Sequence, residues 1–321
     1  MKRLFVLVLC ALMLMGLTAC NDGGSEKPLV DKINTVGVVQ LLKHDALDAA
    51  TQGFKDELEK EFSNIVIDVK LASGEPANCA TIVNGFVNDG VDLIMANATP
   101  ALQAAVAATG DIPILGTSIT EYGVALGIED FNGLVGENVS GTSDLAPLDE
   151  QAQMIIDLIP DAKTVGIIYS SDEPNSAYQV KVVTEYLKSK GVAVIAEPFT
   201  ESNDISLTTA ELCDAVDAVY IPTDNKAASY AETINNVTLE RKIPVICGEE
   251  GTCIKCGIAT LTINYYDLGV ETGKMAAKIL KGEANIEEMP IQYFPNPVKK
   301  YNKEIADTLG IAIPEDYIAI D

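Results

Sequence analysis

Four short motifs occur twice along this chain, in the same order and at similar intervals. Thr35-Val36-Gly37-Val38-Val39-Gln40 reads like Thr164-Val165-Gly166-Ile167-Ile168-Tyr169, and Val66-Ile67-Asp68-Val69 like Val192-Ala193-Val194-Ile195. Gly90-Val91-Asp92-Leu93-Ile94-Met95-Ala96 matches Ala215-Val216-Asp217-Ala218-Val219-Tyr220-Ile221, and Ile112-Pro113-Ile114-Leu115-Gly116 matches Ile243-Pro244-Val245-Ile246-Cys247. Four pairs in register point to duplication of one structural unit. Each unit alternates β-branched runs, suited to strands buried on both faces, with segments of helical period. The helical segments are Ala46 to Phe62, Ala77 to Asn88, Pro100 to Ala108, Ala177 to Lys190 and Ala227 to Glu240. On the first of these, Phe54, Leu58 and Phe62 recur every four residues as a core-facing stripe. Strand–helix alternation of this kind predicts an α/β chain of two doubly wound parallel-sheet lobes.

The amino terminus carries an export signal. Lys2 and Arg3 precede an apolar run from Leu4 to Met15, which ends in Leu17-Thr18-Ala19-Cys20. The run is short for a membrane span, which needs roughly 20 apolar residues, and fits a signal peptide over residues 1–19. The Leu-Thr-Ala-Cys ending resembles a bacterial lipobox, which makes Cys20 the lipidation site and the polar, glycine-containing stretch to residue 33 a tether. The remainder is long enough for two domains. Net charge is −25, and −27 once Lys2 and Arg3 leave with the signal. So acidic a chain is unsuited to nucleic acid or anionic headgroups.

In doubly wound sheets, solutes collect beyond the carboxyl ends of the strands, beside helix amino termini. In the first lobe these ends are Gln40 to Leu47, Asn97 to Pro100 and Thr117 to Thr120; in the second they are Ser170 to Ser176, Pro222 to Asn225 and Gly248 to Gly251. The candidate ligand residues are Gln40, His44, Leu47, Thr99, Pro100, Thr117, Ser118, Asn138 and Ser140 from the first half. Asn175, Ser176, Asp224, Asn225, Glu249, Glu250 and Tyr266 complete the set. Thr99-Pro100 reads as an N-cap followed by a first-turn proline, so that helix start is expected to face the cleft and accept a carboxylate. Asp224 stands at the equivalent place in the second lobe, as an N-cap or as a ligand for an ammonium group. Leu41, Leu42, Leu47 and Ile119 are candidates for an apolar side-chain pocket.

Catalytic signatures are missing from the sequence. It contains no P-loop, no G-x-G-x-x-G after Val39, no G-x-S-x-G and no H-E-x-x-H, and its one histidine is His44. No enzyme, cofactor or metal site is expected. With Cys10 in the signal and Cys20 as anchor, Cys79, Cys213, Cys247, Cys253 and Cys256 remain. Cys253-Ile-Lys-Cys256 is a C-x-x-C with no second such pair to complete a zinc site. In an exported chain a small structural Cys253–Cys256 disulfide is the plainer reading, with free thiols or a metal as alternatives.

Val38-Val39-Gln40 with His44-Asp45-Ala46-Leu47-Asp48, then Ala98-Thr99-Pro100-Ala101, Pro222-Thr223-Asp224-Asn225 and Tyr265-Tyr266-Asp267-Leu268-Gly269 form a specific combination. Together they resemble the ABC-transporter substrate-binding lipoproteins of the tryptophan/tyrosine type, which have the type I periplasmic-binding-protein fold. Asp45 stands where that family often has Pro, and Glu121 where it often has Asp. The resemblance implies a monomeric extracytoplasmic receptor that hands a small solute to an ABC permease in the membrane. It also implies two lobes joined by three crossings, expected near Asn138 to Gly141, Leu261 to Asn264 and Pro290 to Pro295. The lobes would then be residues 34–138 with 264–289, and 139–263 with 290–321. An aromatic amino acid (tyrosine, phenylalanine or tryptophan) is the expected solute, with a branched-chain amino acid as the alternative. A sensor or adhesin lipoprotein using the same cleft is a further alternative. Sugars fit less well, because pyranose sites favour stacking aromatics and the chain has no Trp.

Overall fold

The computed structural model describes residues 33–320 apart from 202 and 295. The signal peptide, Cys20 and its tether therefore lie outside the described residues.

Two sheets form from the two copies of the repeat. The first copy supplies β1 (Thr35–Gln40), β2 (Val66–Leu71), β3 (Leu93–Asn97), β4 (Ile114–Ile119) and β5 (Val139–Ser143). The second supplies β6 (Thr164–Ser170), β7 (Ala193–Phe199), β8 (Ala218–Ile221), β9 (Val245–Cys247) and β10 (Ala259–Thr262). Three strands follow: β11 (Gln292–Tyr293), β12 (Val298–Tyr301) and β13 (Ile318–Ala319). The first sheet runs β11-β5-β4-β3-β1-β2 and the second β13-β12-β10-β9-β8-β6-β7. All pairs are parallel except the antiparallel β10–β12 contact. Stripped of the late strands, both sheets have the order 2-1-3-4-5, as a duplicated doubly wound unit requires.

Detailed contacts repeat as well. Asp92 Oδ2 accepts from the Thr35 amide and Asp217 Oδ2 from the Thr164 amide, both at 2.9 Å, so each carboxylate clips the start of its lobe's first strand. A Cβ on Gly37 would lie 2.6 Å from the Phe86 ring, and one on Gly166 would lie 2.8 Å from Leu212. In both lobes the helix approaches so closely that only glycine fits the strand.

The helices of the first lobe are α1 (Asp45–Glu61), α2 (Pro76–Asp89), α3 (Thr99–Ala108) and α4 (Tyr122–Leu126). Those of the second are α5 (Leu148–Leu158), α6 (Pro174–Ser189), α7 (Ile205–Cys213), α8 (Asn225–Ser229), α9 (Ala231–Glu240) and α10 (Glu250–Cys256). The helix expected over Ala227 to Glu240 is thus two, broken at Tyr230. The final pair is α11 (Tyr265–Leu280) and α12 (Lys303–Leu309). Phe54 and Leu58 of α1 are fully buried with Met275 and Ala276 of α11 in one core beside β1 and β3, which fulfils the apolar stripe read from sequence.

Two expected crossings move. Val139 to Ser143 forms β5 inside the first sheet, so the chain leaves that sheet after Ser143 and not at Asn138 to Gly141. Gln292–Tyr293 pairs with β5, so the last crossing falls beyond Tyr293, before β12 joins the second sheet. In each case backbone pairing keeps a short polar or mixed segment in the sheet, where side-chain character gave no strand signal.

Candidate functional site

The switch point of each sheet lies where its first and third strands part, between β1 and β3 and between β6 and β8. Segments from these strand ends face one another across a narrow cavity. His44, Leu47, Ser118 and Thr120 line it from the first lobe, and Asn175, Thr223, Asp224, Asn225, Ala228 and Glu249 from the second. Asp144, at the exit of β5, and Tyr265, at the start of α11, close it from the hinge.

Each acidic group has a distinct local role. Asp224 caps α8: Oδ1 accepts from the Ala227 amide at 2.8 Å and Oδ2 from the Ser170 amide at 2.7 Å. Glu249 caps α10, taking the Gly251 amide at 2.6 Å and both the amide and hydroxyl of Thr252. Behind Asn225 and Asn175, Glu173 accepts from the Asn225 amide at 3.1 Å, the Lys226 amide at 2.9 Å and the Asn225 side chain at 2.6 Å. Burial raises the pKa of both Glu173 and Asp224, and the negative charge of Asp224 adds to the rise at Glu173.

Asp144 is less committed. It is 4% exposed, and its Oδ2 accepts from the Tyr265 hydroxyl at 2.8 Å. Its Oδ1 is buried without a partner. Burial pushes this carboxyl up to about 6, against the Tyr265 hydroxyl and the nearby Thr120 side chain, which lower it. No Lys or Arg lines the cavity, so three carboxylates share a buried space with no cation.

Two further orphaned atoms line the same cavity, Ser118 Oγ and Asn175 Oδ1. Ser118 has φ 54°, at a register shift between β4 and β5, a backbone conformation that costs free energy in a non-glycine residue. Buried polar atoms normally find partners, so three orphaned atoms in one cavity mark a place where a ligand can supply the bonds.

Among the described residues, a hydrogen bond and an ion pair join the lobes beside the cavity. His44 Nε2 lies 3.1 Å from Asn225 Oδ1. The Asn225 amide nitrogen is held by Glu173, so its oxygen faces the imidazole and Nε2 is the donor. Beside this, Lys255 of α10 pairs with Asp45 of α1 at 2.8 Å.

Of the candidates from sequence, His44, Leu47, Ser118, Asn175, Asp224, Asn225 and Glu249 come together here. The others are placed elsewhere. Gln40 is a buried staple, bonded to Leu42 O, Asp48 and Thr51. Thr99 is the first residue of α3, whose cap is Ala98 at φ 93°, so Thr99 caps nothing, and Pro100 is buried in the same turn. Thr117 bonds to Thr142 and Thr272, pinning β4 to β5 and α11. Asn138 lies at the amino end of β5, the wrong end for a ligand, and holds Thr109 O and Ile112 O. Ser140 donates to Met289 O, and Ser176 is buried beside Asp224 without lining the cavity. Glu250 pairs with Lys300 at 2.7 Å and Tyr266 donates to Asp56 at 2.9 Å, both outside the cavity. Leu41, Leu42 and Ile119 join a hydrophobic core; of the expected apolar pocket only Leu47 lines the cavity.

Thr120 and Thr223 lie in the strand-end segments named from sequence without being singled out, and sequence reasoning missed Asp144, Ala228 and Tyr265. Tyr265 adjoins the chosen Tyr266, and the helical start at Asn264 decides which of the two turns inward. Asp144 carried no signal, because the strand that delivers it was read as a crossing.

The C-x-x-C also departs from expectation. Cys253 and Cys256 are free thiols on α10, packed with Cys247 of β9 in the second-lobe core. The segment is a helix and needs no disulfide to order it. Burial and the neighbouring sulfurs raise the Cys247 pKa far above the usual thiol range. Among the described residues, no cluster of His, Cys, Asp or Glu suits a metal ion. Among them too, no helix is long and apolar enough to cross a membrane.

Comparison with known proteins places this geometry. A curated tyrosine-binding protein of Clostridioides difficile (strain R20291) is 35% identical over 286 residues, covering 86% of this chain and 82% of that protein. The structure of an ABC domain from Streptococcus pneumonia in complex with L-Trp superposes with a TM-score of 0.84 at 34% identity, covering 88% of this chain and 97% of that one. A ligand-free, open structure of a Clostridium difficile substrate binding protein with adhesive properties gives 0.69 at 37% identity, covering 90% and 99%. Neighbours at 12% identity share the fold alone, which is that of the type I periplasmic binding proteins. The model of the family described as ABC transporter substrate binding protein matches residues 35–320. The chain belongs to the ABC transporter substrate binding protein family.

Proposed function

We propose that this protein is the extracytoplasmic, lipid-anchored receptor of an ABC importer, and that it binds an aromatic amino acid between its lobes and presents it to a membrane permease. One observation carries the amino-acid reading: the buried Asp144 carboxylate has a free Oδ1 in a cavity that holds two more carboxylates and no Lys or Arg. An α-ammonium group supplies the missing charge and hydrogen-bond donors. Asp224 and Glu249, already saturated by backbone amides, add attraction without direct contact. The solute carboxylate meets Ser118 Oγ and the first turn of α1, where no side chain caps the helix.

The aromatic part draws on the relatives, one named for tyrosine and one holding L-Trp. The His44–Asn225 and Asp45–Lys255 links, which bring the strand ends of both sheets together, support a closed arrangement. The higher TM-score against the L-Trp complex than against the open, ligand-free relative, at nearly equal identity, supports a closed arrangement here. Solute that touches both walls favours this state over the open one, and the closed form is what a permease reads. Mass spectrometry of the small molecule that copurifies with the protein tests the reading. An aromatic amino acid is expected, and a sugar or purine would refute it.

A further inference from the structure

Asn175 opens a second question, which of several amino acids the cavity prefers. Its side chain is 4% exposed, and its Nδ2 is directed at Glu173 Oε2 and Thr223 O, each at 3.2 Å. Both of those atoms are acceptors, so the amide cannot be turned over without setting oxygen against oxygen. Oδ1 therefore points away from them, and it has no partner although it is buried and its residue lines the cavity.

Of the three orphaned atoms, the two that can only accept stand on different walls, Asp144 at the hinge and Asn175 in the first turn of α6 in the second lobe. The ionised one suits the ammonium. The neutral amide oxygen suits a second, uncharged donor farther along the solute. A phenol O–H or an indole N–H is such a donor; a phenyl ring has none.

We propose that Asn175 Oδ1 is the selectivity point of the cavity, accepting a hydrogen bond from the solute side chain and so favouring tyrosine and tryptophan over phenylalanine. This rests on the amino-acid reading above. A bound phenylalanine leaves a buried acceptor dry, and sites built around a hydrogen bond discriminate strongly against analogues that lack it.

Calorimetry on protein unfolded and refolded to remove endogenous solute tests this with tyrosine, phenylalanine, O-methyltyrosine, tryptophan and 1-methyltryptophan. In the unaltered protein, tyrosine and tryptophan should each bind about tenfold or more tightly than phenylalanine and than their own methylated forms. Asn175→Ala should bring tyrosine down to the level of phenylalanine, with phenylalanine changed by no more than about threefold. A ratio of tyrosine to phenylalanine near one in the unaltered protein overturns the proposal, even if the variant does not fold. A tenfold preference that persists in Asn175→Ala overturns it equally. Absence of heat with all five compounds would instead defeat the amino-acid reading, and this inference with it.

Discussion

The Tyr265 hydroxyl donates to Oδ2 of Asp144 at 2.8 Å, which turns the other oxygen of that carboxylate into a buried acceptor without a partner. Tyr265 begins a helix packed on the first lobe, and Asp144 follows the last strand of the duplicated unit in the same lobe. The bond therefore fixes an acid at the hinge, in a cavity lined by residues of both lobes.

Asp144→Asn should separate stability from binding. Burial lifts this carboxyl to about 6 from an ordinary 3.8. Between those values the folded protein holds a proton that the unfolded chain has released, so the group's contribution to stability falls as pH rises through that window. At pH 7 the charged form is a cost in the empty protein. The asparagine variant should melt a few degrees higher without solute. It should also lose about 30-fold or more in affinity, as removal of a charged partner in a closed site does. Differential scanning fluorimetry and calorimetry together check both signs.

Affinity should depend on pH in one direction. An amino acid keeps its ammonium charge throughout pH 5 to 8, while the empty site takes up a proton near 6. Binding should weaken as pH falls below about 6, approaching tenfold per pH unit. Titration calorimetry from pH 8 to 5 reads this, and a flat profile would remove Asp144 from the ammonium site.

The two links between lobes should contribute unequally. His44 and Asn225 are both at most 9% exposed, whereas the Asp45 side chain of the Lys255 pair is 62% exposed. Exposed ion pairs are worth roughly 0–1 kcal/mol, and buried hydrogen bonds about 1 kcal/mol or more once a partner is left unsatisfied. His44→Ala should speed solute release by about fivefold or more, and Lys255→Ala by less than about threefold. Stopped-flow displacement measures both rates.

All five cysteines of the described region are buried free thiols. Alkylation without reductant should leave Cys79, Cys213, Cys247, Cys253 and Cys256 unmodified in the folded protein and modify all five after unfolding. Peptide mapping that recovers a Cys253–Cys256 bridge would restore the disulfide read from the C-x-x-C.

The fold was legible in the sequence because duplication writes the same strand twice. Gly37 and Gly166, and Asp92 and Asp217, occupy matching contacts, and each pair aligns in the sequence alone. The strand ends likewise led to His44, Ser118, Asn175, Asp224 and Glu249. What stayed hidden depends on three-dimensional direction. Thr99 and Tyr266 sit in the right segments with side chains turned from the cavity, while the adjacent Tyr265 turns in. Asn138 has the right composition at the wrong end of its strand. Asp144 lies beyond a strand, Val139 to Ser143, held by backbone pairing and a buried threonine cluster, features that apolar periodicity does not record.

The central claim is that an acidic, closed cleft holds the α-ammonium group of an amino acid. It is tested most directly by titrating the solute-stripped protein with tyrosine and with N-acetyltyrosine, which keeps the ring and carboxylate and lacks the charged amine. Tyrosine should bind with measurable heat, and the acetylated form should bind about 30-fold or more weakly. Equal affinity for the two, or binding of neither while a sugar binds, would contradict it.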